Sequence, residues 1–256
     1  MIHQYHHTPI FYSISGSGPA LVLLHGFLES STMWTYFVPE LAKTYTVISI
    51  DLPGHGKTGV VDKIHGMELM ADVVFDILKE RQITGASFIG HSMGGYVALA
   101  FAELFPEAID SLILLNSTTQ KDSDDRKFQR DRAINFMEQQ KDTIVSLAIA
   151  NLFTEEARSL YASEIENLKM EALQFSSQGL VATIKGMRDR KDRTHVLKQF
   201  NKKKRIICGS VDPIVPLSNS QRIAESTSTE IIILNGSHMS WIENKDELVK
   251  IMHFIE

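Results

Sequence analysis

The stretch Phe88-Ile89-Gly90-His91-Ser92-Met93-Gly94-Gly95 carries a Gly-x-Ser-x-Gly signature between an apolar run and a segment fit for a helix. That is the setting of a nucleophile elbow, a serine on a sharp strand-to-helix turn. Glycines two positions to either side leave room for the turn, whose backbone conformation few residues accept. Such a turn lifts the serine hydroxyl out of the sheet edge and aims a helix N-terminus at it. The pentapeptide alone is a weak signal, and its weight depends on the rest of the chain.

Outward from it, strand and helix patterns alternate. Ile10 to Ile14 alternates weakly, and Ser15-Gly16-Ser17-Gly18-Pro19 makes a turn. Ala20-Leu21-Val22-Leu23-Leu24 and Thr46-Val47-Ile48-Ser49-Ile50 read as strands buried on both faces. Leu69, Met70, Val73, Val74, Ile77 and Leu78 fall at helical spacing and make one apolar stripe. Ser87-Phe88-Ile89 is a short strand, Tyr96 to Phe105 the helix after the turn, and Leu112-Ile113-Leu114-Leu115 a further strand. Strands separated by helices pair in parallel, so the expected class is α/β, with a mostly parallel central sheet flanked by helices.

The pattern changes after Asn116. Lys121 to Arg132 is dense in charge of both signs, and Phe136 to Ile184 reads as several helices without a strong strand. Strands return at Arg205-Ile206-Ile207-Cys208 and Glu230-Ile231-Ile232-Ile233-Leu234, and a closing helix is expected over Lys245 to Ile255. The interruption is too long for a simple connection. It reads as an inserted helical cap over residues 119–198, between core segments 1–118 and 199–256.

With 256 residues, 43% of them hydrophobic and 22% charged, the chain suits one globular core with an insertion. The net charge of -5 argues against a nucleic-acid partner. The basic run Asn201-Lys202-Lys203-Lys204-Arg205 reads as a solvated loop before a strand. A single cysteine, Cys208, precludes a disulfide within the chain, which fits a reducing compartment. Its apolar surroundings make it a buried small hydrophobe rather than a nucleophile. Met1 to His7 has neither a basic start nor an apolar h-region, and no run approaches the roughly 18 apolar residues of a membrane span. The expectation is a cytoplasmic protein without a membrane partner. On an alternating strand His3 and His7 share one face and His6 the other. No neighbouring cysteine or acid completes a ligand set, so a surface strand is expected there rather than a metal site.

Four further motifs accompany the serine turn. Leu24-His25-Gly26-Phe27 follows one buried strand and Asp51-Leu52-Pro53-Gly54-His55-Gly56 the next. Gly209-Ser210-Val211-Asp212-Pro213 and Gly236-Ser237-His238-Met239 follow the late strands. Together with Gly90 to Gly94 they make a chain that resembles the α/β-hydrolase superfamily over nearly its whole length, the divergent insertion apart. The order Ser, Asp, His is that family's order.

The resemblance implies a triad of Ser92, His238 and Asp212. A serine hydroxyl is a poor nucleophile near neutral pH and needs a base. A neutral imidazole takes the proton and returns it to the leaving group. The base needs an acceptor to hold its tautomer, and a carboxylate on the turn at Asp212 suits that part. Some members place the acid after the strand that follows the elbow helix; here that place holds Asn116, which is not an anion. By the same resemblance the backbone N–H groups of Met93 and Phe27 form an oxyanion hole. His25 is expected to brace the Phe27 loop, and Asp51 to organise its own tight loop. Neither a metal nor a cofactor is implied.

The expected reaction is acyl transfer from a small carboxylic ester, or similar acyl compound, to water through an acyl-enzyme. The expected pocket is Phe27, Leu28, Met93, Ile214, Val215 and Met239, with insertion residues that the sequence does not identify. Dehalogenases and epoxide hydrolases use an aspartate nucleophile, which Ser92 replaces. Enol-lactonases, carbon–carbon bond hydrolases and related lyases share the Ser-Asp-His pattern. The carbon–carbon hydrolases often carry Asn before the nucleophile, where this chain has His91. Arg188, Arg190 and Arg193 suit a substrate carboxylate, but with Asp189 and Asp192 interleaved a solvated face is the expectation. A ligand receptor with a retained triad is the alternative of another class. Oligomeric state is not legible.

Overall fold

Alternating burial explains how the central strands are used. Val22, Leu24, Ile48, Ile50 and Phe88 belong to one buried apolar cluster, whereas Leu21, Leu23, Val47 and Ile89 belong to another. Successive side chains of one strand point to opposite faces, so both faces of the sheet are covered. The computed structural model describes residues 1–252, and among these eight strands form one sheet. They are β1 (Ile2–Tyr5), β2 (Thr8–Ser15), β3 (Ala20–Leu24), β4 (Thr46–Ile50), β5 (Ala86–His91), β6 (Ile109–Leu115), β7 (Lys203–Gly209) and β8 (Glu230–Leu234). Their order is β1-β2-β4-β3-β5-β6-β7-β8. β1 and β2 run antiparallel, β2 pairs antiparallel with β4, and every later pairing is parallel.

The helices are α1 (Val38–Leu41), α2 (Met67–Glu80), α3 (Met93–Leu104), α4 (Asp124–Phe136), α5 (Lys141–Ala150), α6 (Glu155–Leu160), α7 (Ala162–Ala172), α8 (Ser177–Arg188), α9 (Thr194–Gln199), α10 (Leu217–Thr227), α11 (Ser240–Glu243) and α12 (Lys245–Met252). The stripe of α2 and the apolar α3 cover one face; Leu41 of α1 with Leu248 and Met252 of α12 cover the other. No helix of the described residues is long and apolar enough to cross a membrane.

β3 leads to β4 on one side, while β5 lies on its other side. The crevice beyond the carboxyl ends of β3 and β5 is therefore the topological switch point, where ligands bind in open α/β sheets. Gly26-Phe27 and Ser92 follow those two strand ends.

Six helices, α4 to α9, lie between β6 and β7. The charge-dense segment becomes α4, which Ser123 caps by accepting from Arg126 N–H at 3.3 Å and which has no fully buried side chain. α8 is tied to the core instead. His65 N–H donates to the Ala182 carbonyl at 3.0 Å, and a Cβ on Gly186 would collide with the His65 carbonyl.

Two expectations change. His6 and His7 form the β1–β2 turn, and His3 is buried, its ring wedged between Asp76 and Glu80 of α2. The carboxylates that meet it lie far away in sequence, which is why a surface strand was the expectation. β7 begins at Lys203, inside the basic run, because Lys203 and Lys204 already pair with Ser111 and Leu112 of β6. The closing helix is observed to Met252; its expected remainder, to Ile255, lies outside the described residues.

Candidate active site

Ser92 sits between β5 and α3 with φ 48° and ψ -111°, a conformation that side chains rarely adopt. A Cβ on Gly90 would run into the Gly94 backbone, and one on Gly94 into the Leu24 and His25 carbonyls. Only glycine lets strand, turn and loop approach this closely. The turn is held across the sheet: Ser92 N–H donates to the Leu115 carbonyl at 2.9 Å, and Ser117 Oγ donates to the Ser92 carbonyl at 2.7 Å.

His238 and Asp212 reach this turn from loops after β8 and β7. His238 Nε2 lies 2.9 Å from Ser92 Oγ, and His238 Nδ1 lies 2.8 Å from Asp212 Oδ2. A carboxylate accepts, so the network assigns the hydrogen to Nδ1 and leaves the Nε2 lone pair for the serine hydroxyl. The other oxygen of Asp212 accepts from Ile214 N–H at 2.8 Å and Val215 N–H at 2.9 Å. Asn116, with φ 45° at the end of β6, donates its amide to Asp212 Oδ2 at 3.0 Å and to the Ser237 carbonyl at 3.1 Å. Burial opposes ionisation of Asp212, but the His238 ring, the Val215 N–H and the Asn116 amide together hold its carboxyl below the usual range.

A second histidine–carboxylate pair abuts the first. His91, next to Ser92, faces Glu29 Oε2 through Nδ1 at 2.8 Å and the His238 carbonyl through Nε2 at 3.0 Å. A carbonyl only accepts, so Nε2 of His91 carries hydrogen, and beside an ionised Glu29 Nδ1 carries one too, which pairs an imidazolium with a carboxylate. The shifts agree. Burial disfavours charge on each, yet Glu29 raises His91, and His91 with the Gly26 N–H lowers Glu29. Glu29 also accepts from Gly26 N–H at 2.6 Å and from Trp241 Nε1 at 3.1 Å. It thereby joins the β3 loop, the serine turn and the start of α11. Neither the Glu29–His91 pair nor Asn116 was singled out from sequence for these contacts.

Phe27 precedes Leu28, whose φ of 66° bends the loop back so that Glu29 N–H reaches the Gly26 carbonyl at 3.4 Å. Among the described residues no hydrogen bond is donated by the N–H of Phe27 or of Met93, the first residue of α3. His25 accepts from Leu52 N–H through Nε2 at 2.9 Å and donates through Nδ1 to the Gly26 carbonyl at 2.7 Å, so it braces the loop. Burial lowers its pKa, in keeping with a neutral ring. Asp51 accepts from Ser31 N–H and Lys57 N–H, both at 2.8 Å, and organises its own loop away from Ser92.

Ser92 and His238 open on a cavity of about 680 Å³. Phe27, Leu28, Ile214 and Val215 line it, as do Ile144, Leu152 and Met187 of the insertion. Met239 does not: its side chain is fully buried in the larger apolar cluster. Met93 is likewise buried there. The insertion also grips the site's backbone, because the Leu152 carbonyl accepts from His238 N–H at 3.2 Å. The solvated face expected of the three arginines holds for Arg188 alone, which pairs with Asp131 and Asp189. Arg193 is buried between Glu68 and Glu103, and Arg190 is buried against Asp122. Their neighbours come from α2, α3 and the β6–α4 loop, which local charge alternation does not reveal. Burial pushes the Cys208 thiol up to about 11, which fits an inert side chain. Among the described residues no group of three His, Cys, Asp or Glu is arranged to hold a metal ion.

A family model described as alpha/beta hydrolase fold matches residues 19–245. The chain belongs to that family. Among solved structures, this α/β-hydrolase is similar to a thermophilic esterase from Thermogutta terrifontis, at 26% identity and TM-score 0.91 over 96% of this chain and 92% of the other. The fold is shared with the enol-lactonase of Burkholderia xenovorans LB400, at 20% identity and TM-score 0.90 over 98% of each chain. A Pseudomonas putida protein described as the dihydrolipoyllysine-residue acetyltransferase component of the acetoin cleaving system is 27% identical over 93% of this chain and 64% of its own length. An uncharacterized Mycobacterium tuberculosis protein is 39% identical over 106 residues, 41% of this chain and 31% of its own. The α/β-hydrolase thus spans less than two thirds of the length of these two relatives.

Proposed function

We propose that this α/β-hydrolase is a serine hydrolase that cleaves a carboxylic ester, or a similar acyl bond, through an acyl-enzyme. The observation that carries this reading is the unbroken line Ser92 Oγ, His238 Nε2, His238 Nδ1, Asp212 Oδ2, with separations of 2.9 and 2.8 Å, at the wall of a cavity. Ser92 Oγ attacks the carbonyl carbon as His238 Nε2 takes the hydroxyl proton. The carbonyl electron pair moves to oxygen, where the N–H groups of Phe27 and Met93 receive the charge. Collapse breaks the ester C–O bond, and His238 gives its proton to the leaving oxygen. Water then adds to the acyl carbon with His238 again as base, and the acid leaves Ser92. Residues 119–198 act as a cap over a core of 1–118 and 199–256; the insertion residues in the cavity wall support that division.

The test is turnover of a short-chain p-nitrophenyl ester by wild type and by Ser92→Ala. A loss of about 10⁴-fold or more is expected in the variant. No turnover of short esters, lactones or thioesters would sink the reading. A single slow turnover with the ligand retained would favour a receptor instead.

A further inference from the structure

The cavity beside Ser92 has a cationic wall. Arg130 of α4 and Arg190, two residues beyond α8, both line it and share one carboxylate. Arg190 Nη1 lies 2.6 Å from Asp122 Oδ1, and Arg130 Nε donates to Asp122 Oδ2. The Arg190 side chain is only 6% exposed and that of Asp122 only 2%. Guanidinium groups stay charged in proteins, so two cations stand here against one anion.

The other neighbours of Arg190 are neutral. Its Nε donates to the Gln120 carbonyl and its Nη1 to the Met187 carbonyl, both at 3.0 Å. Its Cζ lies 4.2 Å from the centroid of the Tyr96 ring, which orients the guanidinium without cancelling its charge. Glu29, also in the cavity wall, is matched by His91. Lys121 of the β6–α4 loop and Asp125 and Arg126 of the more open start of α4 also line the cavity and add a further net positive charge. Leaving a buried cation without its counter-charge is costly, and an entering anion relieves that cost. A carboxylate matches the planar fork of a guanidinium.

Tyr96 also sets the distance. It lies four residues after Ser92, about 6 Å along the axis of α3. With Arg190 on its ring, the cationic wall lies in the same cavity as the serine but is set off from it by about that one turn of helix. That separation suits a carboxylate several carbons away from the carbonyl under attack.

We propose that the substrate of the Ser92 site carries a second, distal carboxylate bound by the Arg130–Asp122–Arg190 cluster, as in a half-ester of a dicarboxylic acid. The inference rests on Ser92 as the acyl-transfer nucleophile, although the charge of the cluster does not. The distal carboxylate takes no part in bond making. Water supplies hydroxyl to the acyl carbon and a proton to the leaving oxygen, as for any ester.

The test compares kcat/KM for mono-p-nitrophenyl glutarate with that for p-nitrophenyl valerate. The pair para-acetoxybenzoate and para-acetoxybenzamide puts the same contrast in the leaving group. An advantage of about 10- to 100-fold for one of the acidic esters is expected in wild type, shrinking towards unity in Arg190→Gln and in Arg130→Gln. Hydrolysis without preference for either acidic ester overturns the inference and leaves the hydrolase reading standing. If Arg190→Gln does not fold, the wild-type ratios and Arg130→Gln decide. If no ester is turned over, the hydrolase reading falls, and calorimetry on Ser92→Ala decides the cationic site. Binding of glutarate but not of glutaramide, lost in Arg130→Gln, supports it; no binding of glutarate overturns it.

Discussion

Two histidine–carboxylate pairs stand side by side at the serine turn, and they differ in what the second ring nitrogen meets. In His238–Asp212 that nitrogen faces the Ser92 hydroxyl; in His91–Glu29 it faces the His238 carbonyl, which has no proton to give. The first pair is open at one end and able to move a proton. The second is closed at both ends and able only to hold three segments together. Similar side chains thus divide into a candidate proton carrier and a brace according to the polarity of one contact.

The largest expected effect separates the two pairs by activity. Asp212→Asn should lower kcat/KM on a p-nitrophenyl ester by about 10⁴-fold, because the amide favours the wrong tautomer of His238. Glu29→Gln should cost activity far less, on the order of 10-fold, through a loosened Phe27 loop. Equal losses in the two variants would abolish the distinction.

Stability should reverse the ranking. Removing one charge of a buried pair costs about 3 kcal/mol, so urea unfolding of Glu29→Gln should show a drop of that order. The pH dependence follows from the shifts. Glu29 is held below its ordinary 4.5, so its contribution is present above that pH and is lost as pH falls through its lowered value. His91 is held above its ordinary 6.5, so its contribution is present below that pH and is lost as pH rises through its raised value. The pair should stabilise most between about 4.5 and 6.5, and Glu29→Gln should flatten that maximum. An unchanged pH profile of stability in the variant would show that the pair is not charged.

Asn116→Ala tests a smaller part of the open pair. It removes one donor from Asp212 and should lower kcat/KM by about 10-fold, with a stability loss of about 1 to 2 kcal/mol. Last is an effect on the attachment of α8, which touches stability and not activity. His65 accepts from Val61 N–H and lies 3.2 Å from Thr183 of α8, and burial pushes its pKa down to about 4. Its neutral form belongs to the folded state, so stability should fall as pH drops from 6.5 towards 4. Amide exchange in α8 should quicken over that range, and His65→Gln should remove the dependence.

What the sequence made legible follows the range of the interactions. The turn at Ser92 leaves a local signature because Gly90 answers a steric demand only four residues away, at the Gly94 backbone, although Gly94 itself answers the distant Leu24 and His25 carbonyls. Asp212 and His238 were legible as residues because each sits in a short motif directly after a strand, although their meeting is a tertiary event. Glu29, 62 residues from His91, and Asn116, 96 residues from Asp212, carry no local mark of their partners. His3, Arg190 and Arg193 were expected near solvent because their acidic partners lie on other elements, and Met239, expected in the pocket, is turned into the larger apolar cluster by packing that its own stretch of sequence does not show. The insertion was the least legible region. α4 has no apolar stripe, so its place follows from the charged partners of its arginines and from α8, rather than from periodicity.

The hydrogen bond from His238 N–H to the Leu152 carbonyl reaches beyond specificity. Grafting the insertion of a relative onto this core would exchange the cavity wall and one anchor of the proposed base in the same operation. A chimera that keeps every core residue is therefore expected to lose speed as well as change its choice of substrate, unless the donor segment brings a carbonyl to the same point.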